Sequence, residues 1–281
     1  MNKNIKTWFI IAGSLMLLGC ILFIGVMTML NWNFEKLSTD KFVTNEYKIS
    51  ENFKNISVKS INADIILIPS TQNETKVICN EYKKIPHSVT VENNTLIISP
   101  QTKKWYNHLG IHFKTPKITI QLPKDTYASL TINATTGNVT LPKDFTFNSA
   151  NISVTTGNVF MESSVLNNIN CKTTTGDIDL NQINCNSLTI SGTTSDVKMK
   201  NVVAKDKVDI HLTTGDVIFE SCDGAELLIR VTTGDVIGTL LSNKTFDAKS
   251  TTGKVTVPKS KNGGLCKVKA TTGSIKIDLV P

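Results

Sequence analysis

The sequence has little arginine, few aromatic residues and little charge. Arg230 is the single arginine among 30 lysine and arginine residues, aromatic residues make up 6% of the chain, and charged residues make up 19%. One guanidinium group argues against binding to nucleic acids, whose phosphates are usually contacted by several basic groups. A mean hydropathy of −0.03 excludes a disordered chain and a membrane protein with many spans. The formal net charge of +7 in 281 residues predicts a mildly basic surface, which favours anionic polymers.

Residues suited to catalysis or metal binding are also sparse. The four histidines are dispersed, and His108 and His112 have neither a predicted helix nor a third ligand to complete a zinc site. Enzymes that cleave polysaccharides on parallel β-helices use clustered acids with a basic residue, and no such cluster can be picked out around Arg230. The sequence therefore predicts no catalytic residue, no cofactor and no metal ligand.

The six cysteines do not form a recognisable disulfide pattern. Cys20 lies in an apolar segment, and Cys171 and Cys266 occupy repeat positions that are filled elsewhere by Ile, Leu and Val. The other three cysteines have no fixed spacing, so no pair can be named. We interpret the cysteines as thiols.

Residues 8–30 form a run of 23 residues without a charged side chain, and Lys3 and Lys6 precede it. A helix rises about 1.5 Å per residue, so this run is long enough to cross a bilayer of about 30 Å. Because positive charges tend to stay on the cytoplasmic side, we predict a cytoplasmic tail of residues 1–7, a transmembrane anchor of residues 8–30 and an extracellular remainder.

Two other fates of this segment stay open. A cleaved signal peptide usually has an apolar region of about 7–15 residues and a small-residue cleavage site, whereas this run is longer and lacks a clear site. Residues 17–20 (Leu-Leu-Gly-Cys) resemble a lipoprotein signal in which Cys20 carries the lipid, but the sequence continues apolar through residue 30. All three alternatives place the rest of the chain outside the cytoplasm.

The triplet Thr-Thr-Gly recurs along the second half of the chain at spacings of 19 or 20 residues when one variant copy is counted. Its glycines are the predicted structural corners Gly137, Gly157, Gly176, Gly215, Gly234, Gly253 and Gly273. The variant copy has Ser195 in place of the glycine. Apolar residues recur before and after each corner at every second position, which is the alternation of a β-strand.

Each repeat therefore consists of a strand, a corner and a second strand. Such a unit cannot bury its own apolar side, so each repeat must stack on its neighbours, with successive corners on top of one another. Coils about 4.8 Å apart form parallel sheets around a continuous core. The sequence predicts an all-β fold, a parallel β-solenoid of 19–20-residue coils with one N-terminal transmembrane helix, and right-handed coils are favoured. Glycine suits the corner because a sharp turn often needs a positive φ.

The solenoid is predicted to begin before the first Thr-Thr-Gly. If Ala63 takes the corner, the apolar residues of segments 56–58 and 65–67 fill the same positions as those of the later repeats. The outer part of the chain then divides into a stalk (31–50), an N-terminal β part (51–128) with an insertion (101–116), and the regular repeats (129–281).

Three corners read Thr-Gly-Asp followed by Ile or Val, at residues 175–178, 214–217 and 233–236, and two strands end in Leu-Pro, at residues 122–123 and 141–142. With these motifs, residues 51–280 resemble the bacterial putative-adhesin family of β-strand-repeat domains. The resemblance implies a place on the bacterial envelope, with adhesion as the provisional function, and some relatives are linked to envelope-stress responses. It implies no catalytic residue.

The residue after each corner is mostly Asn or Asp, and four carboxylates in a row (Asp177, Asp196, Asp216 and Asp235) suggest a calcium site. We favour hydrogen bonds from backbone N–H groups of the turn to these side chains, because carboxylates in single file do not converge on an ion. The paired threonines are adjacent, so we expect one of each pair to point inward.

The insertion concentrates aromatic and basic residues. Trp105 and Tyr106 share it with three lysines and with Phe113. These aromatic residues could contact a sugar polymer or an anionic membrane surface. We favour a structural role, in which Trp105 covers the open end of the solenoid while Ile111 and Phe113 fill core positions of an early coil.

Together these features predict a non-catalytic, membrane-anchored extracellular module with an adhesin-like binding or scaffold role. Its expected partners are an envelope polymer or protein and, through residues 8–30, the membrane, but not nucleic acid. Two alternatives stay open: an envelope-stress or regulatory component that acts through a partner, and a polysaccharide-cleaving enzyme.

Overall fold

The computed structural model describes residues 3–38, 40–101, 113–143, 145–162, 164–260 and 262–280. The first element is a helix, α1 (Lys3–Met29), in which residues 5–29 are long and apolar enough to cross a membrane. The same length and composition also fit a signal sequence. A short 3-10 helix (Phe34–Leu37) follows, and the other regular elements of the described residues are β-strands.

The described part of the chain contains twenty-two strands. They are β1 (Phe42–Ile49), β2 (Asn55–Ser60), β3 (Asp64–Pro69), β4 (Thr75–Tyr82), β5 (His87–Glu92), β6 (Thr95–Pro100), β7 (Lys117–Leu122), β8 (Thr126–Thr136), β9 (Val139–Leu141), β10 (Thr146–Thr156), β11 (Val159–Met161), β12 (Ser164–Thr175), β13 (Ile178–Asn181), β14 (Asn184–Thr194), β15 (Val197–Lys200), β16 (Val203–Thr214), β17 (Val217–Thr233), β18 (Val236–Leu240), β19 (Lys244–Thr252), β20 (Val255–Thr256), β21 (Gly264–Thr272) and β22 (Ile275–Leu279).

The strands form two sheets whose inward side chains share one core. The long-strand sheet has the spatial order β5, β6, β2, β8, β10, β12, β14, β16, the second half of β17, β21 and β19. The short-strand sheet has the order β1, β4, β7, β3, β9, β11, β13, β15, the first part of β17, β18, β22 and β20. In this spatial order, every pairing that follows β6 in the long-strand sheet and β7 in the short-strand sheet is parallel. This confirms the predicted parallel β-solenoid.

The register places equivalent residues of neighbouring coils side by side in the core. Ile190 pairs with Ile210, Ile210 pairs with Ile229, and none of these three side chains is exposed. Burying one such side chain stabilises the fold by about 1.5–3 kcal/mol. The apolar positions found in the sequence therefore form continuous columns, and these columns hold the coils together.

The seven corner glycines share one backbone conformation, with φ between +128° and +146°. At Gly234 a β-carbon would lie 2.0 Å from the carbonyl oxygen of Gly215, which is the corner of the preceding coil. A side chain at this position would collide with backbone atoms. The positive φ and the close stacking of coils therefore both require glycine.

The regular spacing predicts that the coils stack in sequence order, but the last two coils do not. The coil β21–β22 lies between β17–β18 and β19–β20. The end coil is the less apolar of the two, and its Val255 is 37% exposed, whereas Val268 and Ile275 of the inserted coil are fully buried. The end of a solenoid is covered on one side only, so the more apolar repeat gains more by lying inside.

A buried ion pair joins the two coils that flank the inserted one. Lys244 of β19 contacts Asp223 of β17 at 2.5 Å, and the lysine side chain is almost completely buried. Gly264 of β21 is in register with Lys244, and a β-carbon on Gly264 would lie 1.9 Å from the carbonyl oxygen of Ala225. The inserted strand therefore packs closely between the partners of the ion pair.

The N-terminal end of the solenoid is also out of sequence order. The coil β2–β3 lies between β6–β7 and β8–β9, and the carbonyl oxygen of Ala63 faces Gly137, as expected if Ala63 takes the corner. In the coil β6–β7, the first strand ends at Pro100 and the second begins at Lys117, with the insertion 101–116 between them in the sequence. Antiparallel strands β1, β4 and β5 close this end, and β1 lies within the segment that the sequence suggests as a stalk.

Candidate functional site

A row of basic side chains runs across the outer face of the long-strand sheet. His211, Arg230, Lys269 and Lys249 stand four residues before the corner in four neighbouring coils, and each is in register with the next. All four residues are exposed. Strands of a sheet lie about 4.8 Å apart, so the row extends over about 15 Å. We call these four residues the cationic row.

Strand alternation explains why the row faces outward. Ile229 and Val231 on either side of Arg230 are buried in the core, so the Arg230 side chain must point to the opposite face. The row was not predicted because only the apolar positions of the aligned repeats were compared. Alignment of the position four residues before each corner would have shown lysine or arginine in the last three repeats of the sequence.

Acidic side chains balance only part of the charge of the cationic row. Arg230 lies 3.6 Å from Asp209, and Lys249 lies 3.6 Å from Asp247. No carboxylate of the described residues lies within 4.0 Å of the Lys269 ammonium group. Like charges directly opposite each other on neighbouring strands destabilise a sheet, so an anion bound along the row would relieve this repulsion.

The cationic row borders a shallow groove of about 630 Å³. Its lining includes the whole row together with the hydroxyl-bearing residues Thr232, Thr251 and Thr271. Hydroxyl groups donate and accept hydrogen bonds, and the basic groups attract negative charge. This combination suits an extended anionic ligand that itself carries hydroxyl groups, rather than an apolar ligand.

The Asn and Asp residues after the corners form a ladder of hydrogen bonds between coils. The backbone N–H of Asp235 donates to Asp216 Oδ1 at 2.7 Å, and the N–H of Asp216 donates to Asp196 Oδ1 at 2.9 Å. Equivalent bonds extend the ladder from Asp64 to Ser274. We expected these side chains to bind N–H groups within their own turn, but each accepts from the same position of the next coil.

This ladder also explains why Lys254 departs from the Asn and Asp pattern. Its coil is the last one in space, so no further coil offers an N–H group to residue 254. Within the described residues, no three of the ladder carboxylates bring oxygen atoms within 4.8 Å of one another. The ladder thus connects coils, and its geometry gives no support to a calcium site.

The expectation that one threonine of each pair points inward is wrong. Both members are exposed at every corner, for example Thr232 and Thr233. Regular alternation ends where the chain begins to bend, so two successive side chains face solvent. The second threonine also pairs with its counterparts in the neighbouring coils, as Thr233 does with Thr214 and Thr272.

The protein-family comparison covers most of the solenoid. A family model described as Toastrack DUF4097 matches residues 53–281. The chain belongs to this family. No curated protein matches it at significant similarity.

Solved structures similar to this Toastrack domain include two bacterial proteins. A protein described as a putative adhesin, from Bacteroides fragilis, has a TM-score of 0.55 and 19% identity, over 85% of this chain and 97% of that one. A putative adhesin from Parabacteroides merdae has a TM-score of 0.49 and 12% identity, over 86% of this chain and 98% of that one. At these identities the comparison with the first structure shows the fold alone.

The predicted contact residues of the insertion are only partly covered by the structure. Trp105 and Tyr106 lie outside the described residues of the Toastrack domain, as does Ile111. The expectation that Phe113 fills a core position is wrong, because Phe113 is 45% exposed and its ring centre lies 6.1 Å from that of Phe34. Strand β6 supplies the core residues of that coil instead.

The cysteines of the Toastrack domain are buried free thiols. Burial raises the pKa of the Cys171 thiol to about 12 and that of the Cys222 thiol to about 11. Both thiols are therefore uncharged at neutral pH and poor nucleophiles. This agrees with the interpretation of Cys171 as an apolar core residue.

Proposed function

We propose that this chain is a non-catalytic, adhesin-like module that binds an anionic polymer of the bacterial envelope through its cationic row. The alignment of four basic side chains in register along one groove carries the proposal. A linear polyanion can follow such a row over several coils, whereas a small anion would use only one or two of its groups. The Bacteroides fragilis protein that shares the fold is described as a putative adhesin, which agrees with a binding role.

The proposal includes a membrane anchor. Residues 8–30 would span the membrane, with residues 1–7 in the cytoplasm and the solenoid outside, because Lys3 and Lys6 precede the apolar run. Protease added to intact cells should then digest the solenoid and spare an N-terminal epitope tag. Digestion of the tag, or release of the solenoid without proteolysis, would contradict this topology.

Binding is tested with the full-length chain in nanodiscs of zwitterionic lipid. Polygalacturonate serves as the anionic polymer and dextran as the neutral one. We expect binding to polygalacturonate only, and weaker binding as the salt concentration rises, because salt screens exposed charges.

The test variant replaces Arg230, Lys249 and Lys269 with glutamine. Each basic group near an anionic surface contributes about 1 kcal/mol, so the three changes should weaken binding about a hundredfold. The matched control carries the same change at three exposed lysines of the short-strand sheet, Lys117, Lys198 and Lys276. Equal losses in the two variants would show that only net charge matters, and would overturn the assignment to the cationic row.

A further inference from the structure

A cluster of three ionisable side chains lies buried in the strands that close the N-terminal end. Cys79 and Glu81 stand two residues apart on β4, so both point to the same inward side, and His87 begins β5. Their exposed fractions are 0%, 1% and 2%. Neither the cationic row nor the corner ladder involves these residues.

Hydrogen bonds to Glu81 leave one nitrogen of His87 without a partner. Glu81 accepts a bond from Asn45 Nδ2 at 2.6 Å and from the His87 backbone N–H at 2.9 Å, and its Oε2 lies 2.6 Å from His87 Nδ1. Nδ1 therefore faces the carboxylate and Nε2 points away from it, so an ion bound to both Glu81 and His87 would contact Nδ1 in place of its proton. In the described structure Nε2 is buried and makes no hydrogen bond. The imidazole can hold the proton displaced from Nδ1 on this nitrogen.

The three side chains bring a sulfur, an oxygen and a nitrogen ligand atom within 4.8 Å of one another. Thiolate, carboxylate and imidazole are the ligands that zinc takes in proteins, and they approach the ion to about 2.0–2.3 Å. Atoms at the present spacing can surround one ion after small side-chain rotations. We propose that Cys79, Glu81 and His87 form a binding site for a single divalent transition-metal ion, with Zn²⁺ the best match.

Binding changes the protonation of the cysteine. Burial, together with the nearby Glu81 carboxylate, raises the pKa of the Cys79 thiol to about 12, so without a cation Cys79 keeps its proton. When the ion binds, the sulfur–hydrogen bond breaks, a sulfur–metal bond forms, and one proton is released to solvent. The thiolate and the Glu81 carboxylate together balance the two positive charges of the ion.

The place of the site in the fold gives the ion a structural role. β4 pairs with β1 and β7, and β5 pairs with β6 of the long-strand sheet. A metal held by β4 and β5 therefore ties the two sheets together at the end of the solenoid. Because all three ligands are buried, the ion must enter during folding or through local opening.

The experiment measures metal content in the full-length chain, expressed with added Zn²⁺ and purified in detergent without chelator. Elemental analysis should find about one zinc per chain. A preparation expressed with Co²⁺ instead should show the charge-transfer absorption of a cobalt–thiolate bond. Less than about a tenth of an ion per chain, or cobalt bound without that absorption, would overturn the proposal.

Single substitutions identify the ligands. Cys79→Ser and His87→Gln should each lower metal affinity at least about tenfold and abolish the stabilisation by zinc against heat. Cys222→Ser is the matched control, since it alters another buried cysteine whose thiol already faces backbone carbonyls. Equal metal content in Cys79→Ser and Cys222→Ser would overturn the proposal. If Cys79→Ser fails to fold, the cobalt spectrum of the unaltered chain decides.

Discussion

Ser195 and Gly192 exchange the roles that corner and core residues have in the other repeats. Ser195 occupies a corner that is glycine in the seven other Thr-Thr repeats, and its side chain is turned into the core with only 3% of the residue exposed. A β-carbon on Gly192 would lie 2.8 Å from Ser195 Cβ and 2.7 Å from Leu212 Cδ2. The missing side chain at residue 192 therefore makes room for the serine at residue 195, and the two departures from the repeat pattern compensate each other.

This exchange predicts strong coupling between the two positions. Gly192→Ala should destabilise the protein by about 1–3 kcal/mol, because the added methyl group overpacks the space that Ser195 and Leu212 already fill. Adding Ser195→Gly should recover most of the loss. Thermal unfolding of the two single variants and the double variant measures the coupling, and additive effects would show that the residues are independent.

The corner ladder predicts that Asp216 acts as a hydrogen-bond acceptor. Asp216→Asn keeps an oxygen for the Asp235 N–H and should change the melting temperature little, whereas Asp216→Ala should cost about 1 kcal/mol. We expect that calcium does not bind this ladder and therefore does not raise the melting temperature of the unaltered chain or of either variant. A calcium-dependent rise that disappears in Asp216→Asn would instead identify a metal site.

The buried ion pair between Lys244 and Asp223 predicts a stability that depends on acid. Burial alone raises the pKa of Asp223, but hydrogen bonds from Lys244, Ser242 and the Gly224 N–H together hold it below its ordinary value. A lowered pKa in the folded state means that the stabilisation is complete above the unfolded pKa of about 3.9 and is lost as pH falls through the folded value.

Asp223→Asn should therefore destabilise the protein at pH 7, and its difference from the unaltered chain should shrink as the pH is lowered from about 5 to about 3. Asp206→Asn is the control, because Asp206 is exposed. Urea unfolding at several pH values measures both differences. A constant difference for Asp223→Asn across this range would contradict the role of its charge.

The core columns predict a sharp contrast between two isoleucines. Ile210→Asp places an unpaired charge between coils and should unfold much of the solenoid, because burying an isolated charge costs several kcal/mol. Ile218→Asp is the matched control, since Ile218 is 41% exposed on the outer face of the neighbouring sheet. Far-ultraviolet circular dichroism should show native strand content for Ile218→Asp and a loss for Ile210→Asp.

The regular part of the fold could be predicted because it depends on local patterns. The apolar positions around each Thr-Thr-Gly determine which side of a strand is buried. The positive φ of Gly234 and its contact with the Gly215 carbonyl explain why glycine recurs at the corners. The correct corner at Ala63 follows from the same periodicity, even though no glycine is present there.

The order of the coils and the composition of the sites could not be predicted in this way. Two repeats with similar patterns could each form the end coil of the solenoid. Which of them does so depends on contacts at that end, such as the exposure of Val255 and the ion pair of Lys244. The buried cluster lies outside the repeats, and Cys79 and His87 become neighbours only through the pairing of β4 and β5 with different sheets. Its one local signal is the alternation that puts Cys79 and Glu81 on the same side of β4.

The inverted order of the last two coils restricts when the C-terminal end can fold during synthesis. β19 leaves the ribosome before β21, yet β21 lies between β19 and the rest of the long-strand sheet. Residues 244–256 therefore have no native partner strand until residues 264–279 have been made. The C-terminal end must close in one late step rather than coil by coil, and a nascent chain that stalls before this step presents open strand edges to other chains.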